Sequence, residues 1–266
     1  MPSFSRSLSP PALTQDDRDR FGSDPLARFR ANLAAVEARI ERACRRAGRD
    51  RASVRLVPIT KTVPAPVLRF ACAAGMTNFG ENRIQEAITK REALADLPIR
   101  WSIVGHLQSN KVKYLARFAQ EFHALDSLRL AERLNARLER ENRFLDVYVQ
   151  VNTSGEDSKF GLHPDMVMPF AQTLERFARL RPRGLMTLAL FSADMARVRP
   201  CFTLLRRLRD EAVRHHAGLT GLSMGMTGDF EEAIAEGATV VRVGQALFGR
   251  RPTPDSDYWP DAGRPD

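Results

Sequence analysis

Between residues 54 and 249, short apolar runs of five to eight residues alternate with longer stretches in which apolar positions recur every three or four residues. The runs are VRLVPIT (54–60), MTNFG (76–80), RWSIVG (100–105), EFHALDS (121–127), LDVYVQVN (145–152), RGLMTLAL (183–190), GLSMGM (221–226) and TVVRVG (239–244). Runs this short, rich in β-branched residues and only weakly alternating, are typical of strands buried on both faces of a parallel sheet. The stretches between them have the length and spacing of helices. Eight such units predict a (β/α)8 TIM barrel, an α/β fold forming a single domain. An open, doubly wound sheet fits the same alternation. In both architectures function gathers at the C-terminal ends of the strands.

Ahead of the first run, DPLARFRANLAAVEARIERACRRAG has helical spacing, with Asp24 as N-cap, Pro25 in the first turn and Gly48 as a stop. This adds an extra N-terminal helix to the barrel. Residues 1–24 are rich in Ser, Pro and Asp and are expected to form a disordered extension. The barrel is assigned to residues 25–251, and residues 252–266 to a flexible C-terminal tail. No apolar stretch is long enough to span a bilayer, and residues 1–24 lack the hydrophobic region of a signal peptide. The three cysteines are far apart and odd in number, which argues against a disulfide framework and fits a cytoplasmic protein.

The net charge of +9 changes this picture little. Acids and bases alternate along stretches such as RLAERLNARLERENR, as on solvated helix faces, and no basic run is interleaved with aromatics. No specific nucleic-acid partner is expected. The usage of the basic residues is more informative. Of 41 only five are lysine, at positions 61, 90, 111, 113 and 159, and the rest are arginine. Arginine stays charged, whereas a desolvated lysine amine can attack a carbonyl.

Lys61 directly follows the first apolar run, and TVPAP stiffens the chain beyond it. On base rates a lysine leaving a strand reaches for solvent. This one sits where a barrel would open. The seventh and eighth runs end in SMGMTGD and VRVGQALFG, and loops in those two places commonly hold phosphate. Gly225 and Gly228 permit close backbone approach, Thr227 offers a hydroxyl, Gly244–Gln245 offer amides at a helix start, and Arg242 is a fixed cation. An aldehyde-reactive lysine beside a phosphate cradle points to a phosphorylated carbonyl ligand, pyridoxal phosphate (PLP) above all. Asn82, Gln85, His106 and Asn152, after other runs, read as caps, turn formers or rim residues, and none of the histidines has metal-ligand spacing.

The segments LVPITKTVPAPVLRFACAAGMTNFGENRIQEA, WSIVGHLQSNKVKYL, VQVNTSGEDSKFGL, RGLMTLA and LSMGMTGDFEEAIAEGATVVRVGQALFGRR resemble, in order and spacing, the pyridoxal phosphate homeostasis protein family. The resemblance implies a barrel similar to the N-terminal domain of alanine racemase and a role in vitamin B6 balance without robust catalytic turnover. It makes Lys61 the Schiff-base lysine and places Asn82 near the cofactor ring. Ser223, Met226 and Thr227 match the phosphate motif after the seventh strand, Gly244 and Gln245 that after the eighth, and Arg242 the partner of the pyridine nitrogen. No residue is assigned a certain catalytic role. Two departures stand out. Pro58 interrupts the first strand, where a bulge or an edge-like position is expected, and Gln245 replaces a small hydroxyl residue.

The alternative is a PLP-dependent amino-acid racemase, which would need a second acid or base facing the lysine. Tyr114, Tyr148 and Tyr258 fall in a helix, a strand and the tail. A cofactor-free Schiff-base aldolase would also want a barrel lysine. The expected partners are PLP and, as recipients, apo-enzymes that use it, with the protein itself a monomer.

Overall fold

The computed structural model of the protein describes residues 13–156 and 159–250. Two helices come first, α1 (Gln15–Phe21) and α2 (Pro25–Arg46). Strands and helices then alternate: β1 (Arg55–Pro58), α3 (Ala65–Ala73), β2 (Asn78–Glu81), α4 (Ile84–Ala93), β3 (Arg100–Ile103) and α5 (Val112–Phe118). They continue with β4 (Glu121–Leu125), α6 (Leu128–Arg140), β5 (Leu145–Gln150), α7 (Val167–Thr173), β6 (Leu180–Met186) and α8 (Met195–Ala212). The last are β7 (Gly221–Ser223), α9 (Phe230–Ala235), β8 (Val240–Val243) and α10 (Gln245–Phe248). Every strand pair is parallel, in the order β1-β8-β7-β6-β5-β4-β3-β2. A bridge between Ile59 and Gly80 joins β1 to β2, so the sheet curls into the expected barrel rather than staying open.

The closing seam is short for a chemical reason. The Ile59 amide donates to Val243 O on the β8 side, and the Thr60 amide to Gly80 O on the β2 side. Successive residues of a strand face opposite neighbours, so the donor that Pro58 lacks belongs on the β2 side. Pro58 thus occupies an edge-like position, but no bulge accompanies it: β1 stays in continuous register with β8. Irregular register is found elsewhere, in β4 between Phe122 and Leu125 and in β6. In β6, Val147 pairs with Pro182 and Tyr148 with Gly184, leaving Arg183 as the extra residue. The strand also starts at Leu180, three residues ahead of its apolar run.

Helix α2 begins where expected, with the Asp24 side chain accepting from the Ala27 amide. The extension assigned to residues 1–24 needs correction. A capping box between Thr14 and Asp17 starts α1, and Phe21 at its end is 1% exposed. Phe21 packs edge-on against Phe29 of α2, and Phe29 against Phe248 of α10. One buried aromatic anchors the helix, a signal too sparse for periodicity to report. Residues 1–12 and the tail assigned to 252–266 lie outside the described residues. Among the described residues no helix is long and apolar enough to cross a membrane.

Candidate functional site

The chain leaves β1 through Ile59 and Thr60 and turns at Lys61 and Thr62 before Pro64 starts α3. Thr60 is fully buried. Its hydroxyl donates to Glu81 Oε1 (2.6 Å), and its carbonyl accepts from Lys90 Nζ (2.8 Å) and the Val63 amide (3.0 Å). Lys90 also reaches Glu81 Oε1 at 2.6 Å, so a buried ion pair lies under the turn. Burial pushes the Glu81 carboxyl up to about 7 against the opposing pull of Lys90 and Thr60.

Lys61 and Thr62 line a small cleft with Gly244, Gln245, Phe248 and Arg20. The first and last strands of the barrel therefore bring the predicted lysine and the predicted phosphate loop to one place. A Cβ on Gly244 would come within 3.2 Å of Ile59 O, closer than most side chains tolerate, so the exit of β8 packs on that of β1. The hydroxyl of Thr227 lies 3.5 Å from the Ala246 amide, which joins the loop after β7 to the first turn of α10. Met226 is half-buried, and its amide donates to Asp229 Oδ1. Asn82 follows β2, and its Oδ1 is buried without a hydrogen-bond partner among the described residues. A Cβ on Gly105 would collide with Asn82 O at 2.1 Å, so a glycine is required for the loop after β3 to lie against this residue.

Arg242 pairs in register with Val57 of β1 and is 3% exposed. Its Nη1 donates to Ser223 Oγ and its Nη2 to Thr187 O, each at 2.8 Å. No carboxylate lies within ion-pair distance of it among the described residues, and burial pushes the guanidinium down to about 10, still charged at neutral pH. Ser223 is fully buried, and its hydroxyl lies 2.9 Å from His123 Nδ1; His123 Nε2 in turn lies 3.1 Å from Glu121 Oε2. Arg242 can only donate and the Glu121 carboxylate only accept. The hydrogens therefore run one way, from Arg242 to Ser223, from Ser223 to His123, and from His123 Nε2–H to Glu121.

Charge is fixed at both ends of this chain. Burial alone would raise the Glu121 carboxyl. The His123 hydrogen bond and the charge of Arg55, 2.9 Å away, instead hold it well below the usual carboxylate range. Burial lowers the His123 imidazole, which favours the neutral ring that this donor order requires. Ser223, expected in the phosphate motif, has its hydroxyl engaged here by Arg242 on one side and His123 on the other.

Glu121 and His123 were absent from the sequence-derived site. Their signal was there: two polar residues two apart inside an apolar run, on one face of a strand. Other candidates take structural roles. Asn152 Oδ1 accepts from the amides of Ser154 and Gly155, both at 3.2 Å. His106 is exposed at the rim, stacked on Phe160 with centroids 4.0 Å apart. Gln85 is exposed on α4.

Residues 31–252 match the family described as alanine racemase, N-terminal domain. Over 220 residues the chain is 44% identical to the pyridoxal phosphate homeostasis protein of Pseudomonas aeruginosa, which covers 83% of this chain and 94% of that one. The chain belongs to the pyridoxal phosphate homeostasis protein family. A solved structure of PipY from Synechococcus elongatus with PLP bound is 34% identical, with a TM-score of 0.73, and covers 83% of this chain and all of that one. Alanine racemase from Corynebacterium glutamicum shares the fold, with a TM-score of 0.64 at 15% identity, over 86% of this chain and 62% of its own. Members of this homeostasis family thus share a barrel with the racemase N-terminal domain.

Proposed function

We infer that this protein binds PLP at the cleft between Lys61 and Gly244–Gln245 and acts in PLP homeostasis, holding and releasing the cofactor without robust turnover. The observation that carries the reading is the meeting of Lys61 with the exit of β8 in one cleft. Two further features fit the group among the described residues: Asn82 Oδ1 is a buried acceptor without a hydrogen-bond donor, and Arg242 is a buried cation with no carboxylate in ion-pair distance. In this reading Lys61 Nζ condenses with the aldehyde and water leaves. Thr227, Gly244 and Gln245 flank the phosphate, with Met226 beside them, and Asn82 lies near the ring. Arg242 donates to the ring nitrogen.

When bound, PLP supplies an electrophilic carbon and an electron-withdrawing ring, and an arginine donor that leaves the ring nitrogen unprotonated weakens the latter. The chain's own residues favour retention over turnover. The one-way hydrogen bonds from Arg242 to Glu121 fix that donor role, because every acceptor along them is filled from the Arg242 side. Neither described tyrosine lines the cleft: Tyr148 lies in β5, buried against His123, and Tyr114 in α5. Borohydride treatment of the PLP-loaded protein should fix the cofactor on one peptide, with Lys61 as the modified residue. A Lys61→Ala protein that keeps a reducible absorbance band would defeat the assignment.

A further inference from the structure

Thr62 has a φ of +64°, in the left-handed region. A β-branched residue is rare there, because its side chain crowds the backbone. Thr62 directly follows Lys61, so the direction in which the lysine leaves the turn depends on this conformation being held. Arg20 of α1 grips the same residue with both arms of its guanidinium. Nη1 donates to Thr62 O at 2.6 Å and Nη2 to Thr62 Oγ1 at 2.9 Å. A planar fork of this kind fixes an orientation as well as a distance.

The helix that carries Arg20 is itself tied to the cleft. Arg28 Nη1 donates to Arg20 O at 3.0 Å, and the stack of Phe21, Phe29 and Phe248 runs from the end of α1 to the end of α10. Arg20 lies outside residues 31–252, which the family match covers.

We propose that Arg20 is a positioning residue for Lys61, holding the Lys61–Thr62 turn in its left-handed form so that α1 sets how tightly PLP is retained. This rests on the reading of Lys61 as the PLP-binding residue. Without the fork, Thr62 relaxes to φ below zero and the lysine spends part of its time aimed away from the cleft. Affinity then falls in proportion to the fraction of the turn that stays competent.

The test is a double-mutant cycle read by absorbance titration of the full-length apo-protein with PLP, with deuterium uptake at residues 61–63 as a second readout. Arg20→Ala should weaken PLP affinity about tenfold and speed exchange of the Val63 amide, in line with the loss of a charged hydrogen bond. Arg20→Lys should behave like Arg20→Ala, since it keeps the charge and loses the fork. Glycine adopts a left-handed φ freely. In a Thr62→Gly background, removing Arg20 should therefore change affinity less than about twofold, the fork's constraint no longer being needed.

Unchanged affinity in Arg20→Ala overturns the proposal. So does a tenfold loss that persists beside Thr62→Gly, because Arg20 would then act by a route other than the Thr62 turn, or full affinity in Arg20→Lys, because charge alone would then suffice. If Lys61→Ala takes up PLP as the wild type does, the site assignment fails instead. The exchange readout in apo-protein still reports whether Arg20 holds the turn.

Discussion

Lys90 Nζ lies 2.6 Å from Glu81 Oε1, and the same ammonium donates to the carbonyl of Thr60, the residue before Lys61. Two side chains of one unit, β2–α4, thus brace the turn that follows β1. Lys90→Met removes the cation and leaves a buried carboxylate. Without the pull of Lys90 the variant's carboxyl titrates above the wild-type value of about 7. Where both are ionised, in alkali, the loss should be about 3 kcal/mol. As pH falls the carboxyl becomes neutral, first in the variant, and the penalty shrinks. Urea denaturation of wild type and variant from mildly acidic to alkaline pH checks the prediction, and an equal loss throughout would contradict it.

Ser223→Ala should leave Arg242 Nη1 and His123 Nδ1 facing an apolar methyl. The expected destabilisation is about 1–3 kcal/mol, the range for stranding buried polar groups. PLP affinity should fall too, since Arg242 loses the contact that orients it. A variant that lost affinity at unchanged stability would instead place the hydroxyl on the ligand.

The buried chain also sets an acid limit. Glu121 is held below its ordinary 4.5, so the unfolded chain takes up its proton first, and the stability it contributes is full above 4.5 and lost as pH falls. His123, pushed by burial below 6.5, works in the same direction: the unfolded imidazole protonates first as pH drops through 6.5. Glu81 opposes both, since its raised value makes its contribution decline between 4.5 and about 7. The informative quantity is the difference between wild type and His123→Gln. The gap in stability should narrow steadily as pH falls below 6.5. A gap that stays constant would mean that His123 is already charged in the folded protein.

Asn82→Ala separates folding from binding. Its Oδ1 makes no hydrogen bond among the described residues, so the apo-protein should change by less than about 0.5 kcal/mol. PLP affinity should drop several-fold. Calorimetric melting of the apo-variant beside a PLP titration tests both halves, and loss of apo-stability without loss of affinity would remove Asn82 from the site.

The barrel was legible because seven of its strands announce themselves as apolar runs near their true positions, and because Lys61 and Gly244 end the first and last of them. Where the reading failed, the causes are local. Residues 180–182 read Leu, Arg, Pro and break the apolar pattern that would have extended the sixth run. Helix α1 has one anchoring aromatic in a charged segment and so reads as a polar tail. Ser223 sits in a motif associated with phosphate, and that its hydroxyl meets His123, a hundred residues away in sequence, is not written in the motif. The inward chain itself was passed over because Glu121 and His123 interrupt an apolar run, and such interruptions are usually read as noise.

Pro58 has a mechanical consequence. A hoop fastened all round spreads any stretch evenly, whereas one with a weak joint yields at the joint. Seven neighbouring strand pairs are laddered, and the backbone at the eighth junction is reduced to the Ile59–Gly80 bridge, where the proline withholds a donor. The side chains of Thr60, Glu81 and Lys90 cross the same junction, so the hoop is clasped there by a buried ion pair rather than by a ladder. That clasp divides the turn carrying Lys61 from the strand leading to Asn82, and so stands between two of the residues proposed to hold the cofactor.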